Sequence, residues 1–121
     1  MIIVDSFGWI EYLIDGPKAQ DYEKYLLKPS KIITPTIILY EVYKKVRQER
    51  KESDALIIYA LMIKTKIVDL TAEIARTAAE LSLKYSLPMA DAVIYATAKN
   101  ENCKLVTSDP HFKNLPGVTF I

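Results

Sequence analysis

Four carboxylates in this 121-residue chain stand where an acid is locally out of place. Asp5 ends the apolar run Met1-Ile2-Ile3-Val4, and Glu41 interrupts the aliphatic and aromatic segment from Thr36 to Tyr43. Asp91 sits inside Pro88-Met89-Ala90-Asp91-Ala92-Val93-Ile94-Tyr95-Ala96, and Asp109 closes Lys104-Leu105-Val106-Thr107-Ser108-Asp109. A lone carboxylate in apolar surroundings is costly unless a partner or a metal meets it. If the four converge, each pair ~4 Å apart repels by about 4 kcal/mol at an effective dielectric of 20. A small domain has only roughly 5–15 kcal/mol of net stability to set against that. Such a cluster must take up protons or hold a cation. Oxygen donors favour Mg²⁺ or Mn²⁺. Zinc is disfavoured, because the chain has one His and one Cys.

Each acid also has an ordinary explanation. Asp5 can cap a helix, Asp109 can form a turn before Pro110, and Asp91 suits the first turn of a helix. Glu41 can pair with Lys44 or Lys45 along its own helix. Their joint occurrence is what points to one site. Asp69 also follows a strand-like pair, but Thr71 supplies a normal cap there, so it reads as structural; Asp15 and Asp21 belong to turn chemistry.

The elements that must position these acids follow from hydrophobic pattern and breakers. Ile2-Ile3-Val4, Ile32-Ile33, Ile67-Val68, Leu105-Val106 and Val118-Thr119-Phe120 read as short buried strands. Helices are expected from Ser6 (as N-cap) to about Ile14, and through Tyr22-Leu27. Two more should run from a Thr36 cap to near Lys51, and from a Ser53 cap over 55–64. The last two run from a Thr71 cap to near Tyr85, and from Pro88 to Asn100. Strands alternating with helices predict a parallel sheet covered on both faces, with any site at the carboxyl ends of the strands. Asp5 and Asp109 fall there. On their helices, Glu41 shares a face with Ile37 and Ile38, and Asp91 with Ile94, Tyr95 and Ala98, so both acids are expected to point towards the sheet.

Bulk properties bound the reading. The length fits one domain with a real core. Half of the residues are hydrophobic and 26% are charged, which excludes a disordered chain. A net charge of +1 means that any polyanion must be held by a local patch. Cys103 has no internal disulfide partner and reads as a small buried hydrophobe. The first apolar run stops at Asp5 without a basic flank, so no signal peptide is expected. The longest apolar stretch, Ala55 to Ile63, falls short of the ~20 residues of a spanning helix. The expectation is a cytoplasmic protein without a membrane partner.

These motifs resemble a known family. Val4-Asp5-Ser6, followed by Trp9-Ile10-Glu11-Tyr12-Leu13, looks like the opening of PIN-domain nucleases, and Glu41 in its aliphatic helix resembles their second acid. Met89 to Ala98 resembles the third-acid motif. Val106-Thr107-Ser108-Asp109-Pro110-His111-Phe112 resembles the fourth, with the Thr107 hydroxyl and Phe112 in register. The likeness spans essentially the whole chain, residues 1–121, and the length suits VapC-type toxins. Where some members carry a further acid two positions after the fourth, this chain has His111. The resemblance implies an α/β fold with a PIN-like α/β/α arrangement around a parallel sheet of about five strands. It implies Mg²⁺- or Mn²⁺-dependent hydrolysis of RNA phosphodiester bonds, with Asp5, Glu41, Asp91 and Asp109 as metal ligands and Thr107 among the catalytic residues. A homodimer and a VapB-like antitoxin partner are implied too. Independently of it, paired-histidine cleavage is excluded by the lone His111, which leaves metal-activated water as the route.

Lys44, Lys45, Arg47 and Arg50 follow Glu41 on one helix and can hold RNA phosphates; otherwise they form a solvated helix end. The apolar stretch 55–63 is expected at a subunit or antitoxin surface. Tyr12, Tyr22, Tyr25, Tyr40 and Tyr43 read as core residues more readily than as stacking platforms. Trp9 is expected to pack beneath the site. His111, two residues from Asp109, can assist proton transfer but reads more readily as a surface loop histidine. Two other readings are open. One is a non-catalytic interaction domain of the same fold. The other is an Asp5-based phosphotransfer domain, which Phe7 disfavours because that chemistry wants an acid at its position.

Overall fold

In the computed structural model, which describes residues 1–121, all five expected strands form. They are β1 (Ile2–Val4), β2 (Ile32–Pro35), β3 (Lys66–Val68), β4 (Lys104–Thr107) and β5 (Val118–Phe120). Every pairing is parallel, in the order β3-β2-β1-β4-β5. Six helices cover the sheet: α1 (Ser6–Leu13), α2 (Ala19–Leu26), α3 (Thr36–Glu49), α4 (Glu52–Met62), α5 (Ala72–Tyr85) and α6 (Met89–Asn100). The result is the three-layer α/β/α architecture. The chain builds outwards from β1 to β3 on one side, then returns through α5 and α6 to place β4 on the other side of β1. That reversal opens a crevice at the carboxyl ends of β1 and β4, the usual place for a site in such a sheet.

The central strands are unbroken hydrophobe because both of their faces are covered: Ile3, Val4, Ile32, Ile33, Leu105 and Val106 are all buried. In α6, Ala92 to Ala98 are buried throughout, and the alanines let the helix lie close to its neighbours. No helix is long and apolar enough to cross a membrane.

Three expected caps move. Asp5, not Ser6, is the N-cap of α1, its carboxylate accepting from the Ser6 amide at 2.8 Å. Thr36 is the first helical residue after Pro35. Lys51 takes the cap position of α4, and Ser53 lies inside its first turn. In the last case α3 ends at an extended Arg50, so α4 begins at once, with Glu52 and Asp54 facing its positive end. Thr71 does cap α5, accepting from the Ile74 amide at 3.2 Å, while Asp69 is exposed. Cys103 is only half-buried.

Gly8 ties α1 to the layer below it. A Cβ there would lie 2.7 Å from Val4 Cγ1 and closer still to the Tyr22 ring. Tyr22 is fully buried and its hydroxyl reaches Ser108 Oγ at 2.7 Å, one residue before Asp109. Alanine normally gains about 1 kcal/mol over glycine in a helix. Gly8→Ala should nevertheless lower stability, by roughly 1–3 kcal/mol, because neither Val4 nor the ring can retreat from a packed core. Urea melts of the variant check this; a stabilised variant would mean that α1 can shift.

Candidate metal centre and active site

Asp5 and Asp109 follow strand ends, whereas Glu41 and Asp91 are carried by helices. β1 ends at Val4, so Asp5 stands at the crevice with only 1% of its surface exposed. One oxygen accepts from the Ser6 amide; the other, Oδ2, accepts from the Thr107 hydroxyl at 2.7 Å. Thr107 is the last residue of β4, and its Oγ1 also accepts from the Asp109 amide at 3.0 Å. One buried hydroxyl therefore fixes the position of Asp5 and the start of the Asp109 loop together. Asp109, itself buried, accepts from the His111 amide at 3.0 Å and caps the short 3-10 turn Pro110–Phe112.

Asp91 lies in the first turn of α6, where the helix dipole favours an anion. Its Oδ2 is 2.9 Å from His111 Nδ1, and the same nitrogen is 3.3 Å from Asp109 Oδ1. Ligand atoms of Asp91, Asp109 and His111 lie within 4.8 Å of one another. Glu41, half-buried on α3, leaves its Oε1 enclosed with no hydrogen-bond partner.

The charges of Asp91 and Asp109 act on both Asp5 and Glu41. Burial pushes the Asp5 carboxyl from 3.8 up to about 7. The bonds from Thr107 and Ser6 oppose the rise, and the charges on Asp91 and Asp109 add to it. Glu41 is raised chiefly by burial, with Ser6 opposing and Asp91 and Asp109 contributing. Asp91 is raised by burial and by Asp109, while His111 lowers it. Clustered carboxylates with depressed acidity and one orphaned oxygen make a donor set that fits a hard divalent cation.

Two residues of this arrangement make contacts that sequence reasoning did not foresee. Ser6, buried between Asp5 and the influence of Glu41, was read only as a cap; its adjacency to Asp5 was the available signal. His111, singled out in the sequence for its place two residues after Asp109, is exposed, yet its Nδ1 bonds Asp91; nothing local to its sequence foretells that contact 20 residues away.

The basic run divides. Lys45 pairs with Glu49 at 3.0 Å and, with Arg50, lines a cleft shared with Asp54. Lys44 and Arg47 face another groove and make no ion pair with a carboxylate. Among the tyrosines Tyr22 is core, Tyr12 and Tyr25 are half-buried, and Tyr40 is exposed. Trp9 is buried in the core as expected.

The PIN domain family model matches residues 2–118 of the chain. No curated protein sequence matches it. Among solved structures, a toxin–antitoxin complex from Klebsiella pneumoniae is similar over 98% of this chain and 96% of its own, at 23% identity and a TM-score of 0.82. The sarcin-ricin-loop-cleaving toxin VapC20 of Mycobacterium tuberculosis is 16% identical, covering 98% of this chain and 97% of its own, with a TM-score of 0.79. VapBC2 from Rickettsia felis, bound to a promoter DNA fragment, is 20% identical over 100% of this chain and 98% of its own, with a TM-score of 0.75. At these identities the likeness is one of fold.

Proposed function

The chain belongs to the PIN-domain family, and on that premise we propose that it is a Mg²⁺- or Mn²⁺-dependent ribonuclease, the toxin of a VapBC-type toxin–antitoxin pair, built as a single domain over residues 1–121. The observation that carries this reading is the cluster of Asp91 and Asp109 with His111, whose two acids also raise the pKa of buried Asp5 and of Glu41, the latter with an unpartnered buried oxygen. Asp5, Glu41, Asp91 and Asp109 are the residues that would hold the ion. When bound, Mg²⁺ or Mn²⁺ lowers the pKa of a coordinated water and offsets charge on the phosphodiester. The chain's own part is positional. Thr107 Oγ1 donates to Asp5 Oδ2, which turns that carboxylate to a set angle and leaves Oδ1 on the Ser6 amide. Glu41 Oε1 is a buried acceptor with no hydrogen-bond partner of its own.

The similar structures are toxins and toxin–antitoxin complexes, one of them a toxin that cleaves the sarcin-ricin loop, and this supports a VapB-like antitoxin partner and an RNA substrate. So does α4, whose Ile57 and Leu61 are exposed although apolar, beside a cleft that α4 forms with Ile10, Leu13 and Ile14 of the α1 segment. We assign that face to the homodimer or antitoxin contact, in the cytoplasm. Ile57→Lys should leave the fold intact, since Ile57 is 62% exposed, but should reduce the assembled mass seen by light scattering, alone or with antitoxin. An unchanged mass in both cases would remove α4 from the assembly.

The test of the activity is cleavage of mixed structured RNAs by the isolated protein, with Mn²⁺ or Mg²⁺ against EDTA. Cleavage with either ion and none in EDTA is expected. No cleavage with either ion, by folded protein, would leave a non-catalytic interaction domain of the same fold.

A further inference from the structure

Apart from the carboxylate crevice, an open groove of about 790 Å³ lies between α3 and α4. Its walls are Tyr40, Tyr43, Tyr59 and Leu56, and two cations, Lys44 and Arg47, stand in it; no carboxylate lines it. Tyr40 is 57% and Tyr59 40% exposed. Tyr43 and Tyr59 meet edge to face at 6.3 Å between ring centres, which fixes their planes. Lys44 Nζ rests 5.5 Å from the centre of the Tyr40 ring, and Arg47 Nη1 makes only a 3.3 Å bond to the Arg50 carbonyl. On the same helix Lys45 is held by Glu49. Lys44 and Arg47 thus stand in the groove without a carboxylate partner.

We propose that this groove binds an unpaired stretch of the RNA next to the cleaved bond, bases stacking on Tyr40 and Tyr59 and phosphates meeting Lys44 and Arg47. The inference rests on the nuclease reading above and says where the substrate's flank lies. Lys44 is three residues from Glu41, hence one helical turn along α3 from the carboxylates. Four acids repel the polyanion they would cleave, and the whole chain carries only +1, so the attraction has to be local and adjacent. Aromatic faces alternating with unpaired cations are the chemistry of single-strand binding, where each base offers a face and each nucleotide a charge. Duplex RNA buries its base faces and does not fit. A protein tail would use the apolar walls but would leave both cations unmatched unless it were acidic.

The experiment measures binding of a fluorescent single-stranded oligoribonucleotide, and of the same sequence as a duplex, to full-length Asp5→Asn protein in Ca²⁺. Tyr40→Ala, Tyr40→Phe and Arg47→Ala are made on that background, and wild-type cleavage is followed in parallel. Tyr40→Ala should weaken single-strand binding about 5-fold or more, the low end for loss of one stacked base, while Tyr40→Phe keeps it. Arg47→Ala should weaken it and reduce the slope of log affinity against log salt by about 0.7. The duplex should bind more weakly and respond little to Tyr40→Ala. If the wild type cleaves RNA while Tyr40→Ala and Arg47→Ala bind it unchanged, the groove assignment falls and the nuclease reading stands. If these changes alter the oligomeric state and not RNA affinity, the groove is a protein contact and the proposal is overturned. Absence of both binding and cleavage in all proteins would sink the two readings together.

Discussion

Asp5→Asn should reduce RNA cleavage by more than about 100-fold while the protein stays folded. Residues that merely support a metal's ligands cost 10- to 100-fold when changed, and a ligand should cost more. The substitution is nearly isosteric, so the loss would be one of charge. Asparagine Oδ1 can still accept from the Ser6 amide, and its Nδ2 can donate to Thr107 Oγ1 in place of accepting from it. Thr107 would then accept twice, since it already accepts from the Asp109 amide, and its own proton would lose a partner. That loss is worth about 1 kcal/mol, too little to unfold the chain. Cleavage assays with Mn²⁺, together with circular dichroism of the variant, decide the matter. Retained activity would take Asp5 out of the reaction.

The same residue makes the metal-free protein's stability depend on pH. In the unfolded chain the Asp5 carboxyl loses its proton near 3.8, and in the folded site not until about 7. Between those values the folded state binds more protons, so stability falls as pH rises. The advantage is whole below about 3.8, is lost progressively up to about 7, and does not change further above it. At 1.36 kcal/mol per pH unit the full swing is about 4 kcal/mol. Glu41 and Asp91 shift in the same direction, more weakly because both are nearer solvent. Comparing wild type with Asp5→Asn in EDTA isolates the Asp5 part. Urea melts should find the variant the more stable at pH 8, where the wild type carries a buried charge. Near pH 4.5 the order should vanish or reverse, because protonated Asp5 then keeps its hydrogen bonds without charge. A difference that does not change with pH would mean that Asp5 is already ionised in the metal-free fold.

Much of the scaffold was legible in the chain because its information is local. A strand buried on both faces has to be a short unbroken apolar run, and all five runs became strands. Alternation with helices then requires parallel pairing, and the carboxyl ends of β1 and β4 had to carry Asp5 and Asp109. Caps were read less well. Whether Ser6 or Asp5, or Ser53 or Lys51, stands at a helix start depends on where the preceding element releases the chain, which side-chain chemistry within one turn does not encode.

The carboxylates themselves were visible as acids in apolar contexts, and Thr107 and His111 as members of the last motif, but the contacts among them were not. Thr107 reaches Asp5 across 102 residues only because β1 and β4 pair with Val4 beside Val106. His111 meets Asp91 only because the turn after β4 folds back over the start of α6. The run of cations after Glu41 looks uniform along the chain. Helical geometry, with Glu49 on one side and α4 on the other, pairs Lys45 and turns Lys44 and Arg47 into the groove. Periodicity and burial follow from each segment's own composition. Which side chains share a proton, a cation or a groove is decided by strand register and helix docking, and those exist only once the chain has closed on itself.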